Sequence, residues 1–82
     1  MGACEAELAR VKARVMADVA ATLREVVVRL PPEEDTGDWR GPTQRAFDSA
    51  LAQQRGRLRA LAASSDVASD ALLGLAARLE AS

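Results

Sequence analysis

The side chains able to do chemistry are few in this sequence. There is one cysteine, Cys4, and there is no histidine and no tyrosine. Without imidazole or phenol, and with a thiol that has no base beside it, general acid–base and nucleophilic catalysis lack their usual players. An enzyme is not expected, and neither is a cofactor. A single thiol cannot close an internal disulfide, so Cys4 reads as an inert free cysteine. The acidic run Glu33-Glu34-Asp35-Thr36-Gly37-Asp38 lacks the alternating ligands and closing Glu of a calcium loop, so it reads as a solvated connection rather than a metal site. Arg55, Arg57 and Arg59 could meet phosphates, but helical spacing spreads them around the axis and no aromatic residue lies between them to stack a base.

Composition agrees with that exclusion. Eleven basic against twelve acidic residues leave a net charge of −1, which gives no long-range attraction to nucleic acid or to an anionic membrane. No uncharged apolar stretch approaches the ~18 residues that span a bilayer, and the N-terminus has no basic-then-apolar signal peptide. A soluble product, cytoplasmic when made, is the expectation. At 49% hydrophobic, 28% charged and 2% aromatic, the 82 residues fit one small helical domain. Eighteen of the residues are alanine, so the supply of large core side chains is thin. Chains this small usually make up such a deficit with disulfides, a metal or oligomerisation, and only the last is open here.

Two elements must carry whatever function there is. Leu8, Val11, Val15, Val19, Leu23, Val26 and Leu30 recur at steps of three and four without an intervening Pro or Gly, which predicts an amphipathic helix over 5–30. Leu8, Val19 and Leu30 repeat at eleven residues, suiting nearly straight packing. Arg10, Lys12, Arg14, Arg24 and Glu25 are assigned to its far face. Pro31-Pro32 ends it, and 31–41 is the connection. Gly41-Pro42 supplies an N-cap and a first helical position for a second helix over 42–81.

In that helix Leu51, Leu58, Ser65, Leu72 and Leu79 fall at a, and Phe47, Gln54, Leu61, Ala68 and Leu75 at d, of an unbroken heptad register. Gln54 and Ser65 are its polar interruptions. The longer second helix is expected to outrun the first near Ala68, leaving Leu72, Leu73, Leu75 and Leu79 uncovered. The partner interface is therefore assigned to Leu51, Leu58, Leu61, Leu72, Leu75 and Leu79, with Arg55 and Arg57 flanking it and pairing with acids of a neighbouring helix.

The one tryptophan sits at the junction of the two helices, in Trp39-Arg40-Gly41, and Ala46-Phe47 follows just inside the second. By spacing alone Trp39 could simply plug the end of a hairpin. The whole constellation resembles the WXG family of small type VII secretion proteins of actinobacteria and Gram-positive bacteria, over essentially the full chain. The resemblance implies an all-α, two-helix antiparallel hairpin (1–82) with the Trp-x-Gly motif at the turn, dimerising into a four-helix bundle. It also implies that Trp39, Gly41 and Phe47 form a secretion or recognition motif. The implied partners are another hairpin, as homodimer or heterodimer, or the helical N-terminal region of a secreted toxin, with a secretion ATPase engaging the complex. Release would need no cleaved signal peptide. The Tyr-x-x-x-Asp/Glu tail that marks family members for export has no counterpart here, so export with a tail-bearing partner is expected. The alternative is a non-secreted adaptor or targeting chaperone for a larger toxin.

Overall fold

In a computed structural model, residues 2–31 and 41–81 are described, and they form two α-helices, α1 (Gly2–Arg29) and α2 (Pro42–Ala81), with no strand among them. Trp39 and the acidic segment 33–38 lie outside the described residues. The start of α1 is three residues earlier than the periodicity predicts. At its other end the Leu30 amide donates to the carbonyls of both Val26 and Val27, at 3.1 and 3.2 Å. That forked bond is typical of a final turn, and Pro31 cannot continue the ladder. At the start of α2, Gly41 has φ +95° and its carbonyl accepts the Arg45 amide at 3.1 Å. Its backbone is thus in a region that favours glycine, which explains that residue ahead of the helix-starting Pro42.

The helices pack against each other in antiparallel fashion, as a hairpin drawn out to 63 × 15 × 11 Å. Direction and register follow from three contacts between the helices. Arg10 pairs with Glu80, Arg24 pairs with Asp66 at 2.5 Å, and the Ser69 hydroxyl donates to the Ala13 carbonyl at 2.9 Å.

The buried set is not the aliphatic stripe. On α1 it is Ala6, Ala9, Ala13, Ala20 and Val27, and on α2 it is Arg55, Ala62, Ser69 and Ala76. Ala6, Ala13, Ala20 and Val27 recur every seven residues, and so do the four residues of α2. The Ser69–Ala13 bond then places Ala6 opposite Ala76, Ala20 opposite Ala62 and Val27 opposite Arg55. A seam of alanine and serine lets two backbones approach closely enough for a hydroxyl on one helix to reach a main-chain carbonyl of the other. The repeat of this seam is therefore seven, not the eleven read from Leu8, Val19 and Leu30. On α2 the seam occupies the e positions beside the heptad a and d residues.

Two expectations are corrected by this register. Because Ala6 and Ala9 pack with Ala76 and Leu79, α1 covers α2 to its C-terminal end, and no strip of Leu72 to Leu79 outruns it. The extra length of α2 lies at its N-terminal end, where the turns before about Gln53 extend past the end of α1. The overhang was misplaced because α1 begins earlier and pairs in a register that the sequence does not state. Arg55 is also not a flanking residue aimed at another chain's acids. It is buried, with its guanidinium donating to the carbonyls of Leu30, at 3.3 Å, and Pro31. It satisfies acceptors left open at the C-terminus of α1 and supplies the positive charge favoured there.

Two substitutions test the seam. Ala13→Leu forces a large side chain between backbones in contact and is expected to lower stability by about 1–3 kcal/mol. Arg55→Met leaves the carbonyls of Leu30 and Pro31 without their donor and is expected to cost about 1–3 kcal/mol. Urea unfolding followed by far-ultraviolet circular dichroism reads both. An unchanged midpoint for Ala13→Leu would mean that the helices do not meet along this seam.

Candidate protein-binding face

With alanine and serine filling the seam, the larger apolar side chains must go elsewhere. Leu8, Val15 and Leu61 are each half or more exposed, at 54, 50 and 55%. Val19, Val26, Phe47 and Leu75 are also exposed, while Met16, Leu23, Leu51, Leu58, Leu72 and Leu79 are half-buried. Their direction follows from the helical repeat and the buried positions. Counting about 100° per residue from the seam, Met16, Leu23, Val19 and Val26 turn to one side of α1. Positions a and d turn to the same side of α2. Shallow grooves confirm that these two sides form one surface. One is lined by Val15, Met16, Ala68, Ala71 and Leu72 with Lys12, and another by Leu8, Ala9, Leu72, Leu75 and Leu79 with Glu5 and Lys12.

The opposite side carries the ion pairs, with Val28 and Leu73 exposed among them. Arg10 bridges Glu7, at 3.1 Å, and Glu80, while Arg14 lies 3.6 Å from Glu7 and Arg24 meets Asp66. These groups are largely solvated, so each pair contributes only about 0–1 kcal/mol. Their consequence is orientation, because this side already has its counter-charges and faces water. The hairpin is therefore amphipathic in the main, with most of its larger aliphatic side chains on one face and its ion pairs on the other.

The assigned interface residues divide accordingly. Leu51, Leu58, Leu61, Leu72, Leu75 and Leu79 lie on the aliphatic face, Arg57 is exposed at its edge, and Arg55 belongs to the hairpin's own seam. The face also takes in residues of α1 that were not assigned to it, namely Leu8, Val15, Met16 and Val19. Lys12, assigned to the far side of α1, stands on the aliphatic face as well. The signal that could have found them is the heptad of Ala6, Ala13 and Ala20. It marks the contact with α2 and so rotates the larger side chains outward. Of the polar heptad residues, Gln54 is exposed and the Ser65 hydroxyl donates to the Leu61 carbonyl of its own helix at 2.9 Å.

Of the turn motif, Gly41 and Phe47 are described. Phe47 is two-fifths exposed, on the stretch of α2 that extends past α1. Cys4 is a free, exposed thiol. Among the described residues no group of three or more metal-ligating acids or thiols occurs. By length and composition α2 is the one described helix that could cross a membrane, its best window reaching a mean hydropathy of 1.2 with 17% of it buried. That window tolerates up to two charges, which is why the criterion of an uncharged apolar stretch did not single it out. No protein-family model, curated protein or solved structure matches the chain.

Proposed function

We propose that this chain is a non-enzymatic interaction module that completes a four-helix bundle with a helical partner, and that it acts in type VII secretion as a WXG-like protein. The observation that carries the bundle reading is the amphipathicity of the whole hairpin. Most of the larger aliphatic residues of both helices lie to one side, away from the paired charges, while Val28 and Leu73 stand exposed among those charges. Among the described residues none of the larger side chains is fully buried. A hairpin packed mainly through alanine, with one valine, one serine and one arginine, leaves most of its larger apolar side chains at least partly in water, and contiguous surface of this kind marks an interaction site. The 28 residues of α1 run about 42 Å, so the two-helix part of a face 15 Å wide offers roughly 600 Å², to which the further turns of α2 add, against the ~800 Å² per partner found in stable interfaces.

A partner built from helices fits this face best. The face is a straight, two-helix groove lined by side chains at heptad spacing, which is the surface that facing helices fill with interdigitating side chains. Bilayer insertion fits poorly, because α2 carries Asp66 and Asp70 and because Asp66 is already paired with Arg24. The secretion reading rests on the Trp39-Arg40-Gly41 and Ala46-Phe47 pattern between two amphipathic helices. In this reading the tip of the hairpin is offered to the export machinery while the face holds the partner, and the two chains leave the cell together.

Two measurements separate these parts. Leu75→Asp places a charge on the aliphatic face and is expected to abolish assembly, because an unpaired carboxylate would be buried there. Light scattering coupled to size exclusion checks it, and a monodisperse, cooperatively unfolding 8.7 kDa monomer for the parent chain would rule out the bundle. Trp39→Ala is expected to keep helicity and assembly while reducing the amount of protein in culture filtrates of an expressing host. Parallel loss of helicity and release would make Trp39 a structural plug. Full assembly with no release from the parent chain, even with its partner co-expressed, would favour an intracellular chaperone.

A further inference from the structure

We draw no further inference here: the strongest candidate, the aliphatic face around Lys12, where an antiparallel second copy would answer the ammonium with its Asp18, restates the pairing of hairpins already known for the WXG family that the chain resembles.

Discussion

The structure depends on one constraint, the closeness of two backbones across a seam of small side chains. Ser69 can donate to the Ala13 carbonyl only because no large side chain stands between the helices. Where alanine and serine hold that distance leucine does not fit between the helices, and apart from Val27 the larger aliphatic residues are turned out of the seam. The thin hairpin and its exposed apolar face are two consequences of the same packing.

The ends of the seam are closed by polar contacts. At one end Ala6 and Ala9 meet Ala76 with Leu79 beside them, and Arg10 reaches Glu80 on the solvent side. At the other end an alanine would leave the last carbonyls of α1 unanswered, and the heptad position is filled by Arg55 instead. A long cationic side chain suits that place, because its aliphatic stem continues the packing while its guanidinium binds carbonyls at the negative end of a helix dipole. The ion pairs of the back add little energy, but they decide which side of the hairpin faces water.

An object with one apolar and one ionic side is half of a core. Burial of the aliphatic face is the largest favourable term still open to the chain, and a helical partner offers the matching ridges and grooves. The proposed function follows from that incompleteness together with the Trp-x-Gly pattern at the junction.

Much of this was legible in the residues. The two helices, the break at Pro31 and the restart at Pro42 follow from periodicity and from the inability of proline to continue a helix. The leucines of α2 are marked by their heptad spacing as one continuous strip. Which stripe would turn inward was not legible, because α1 carries two overlapping repeats, alanines every seven residues and aliphatics at threes and fours. Hydrophobicity ranks the second above the first, and the sequence read that way puts Lys12 on the wrong side and the overhang at the wrong end. Only the tertiary structure decided between them. Direct helix contact rewards small side chains that allow close backbone approach, so the alanine stripe formed the seam, fixed the register and left the larger side chains facing outward.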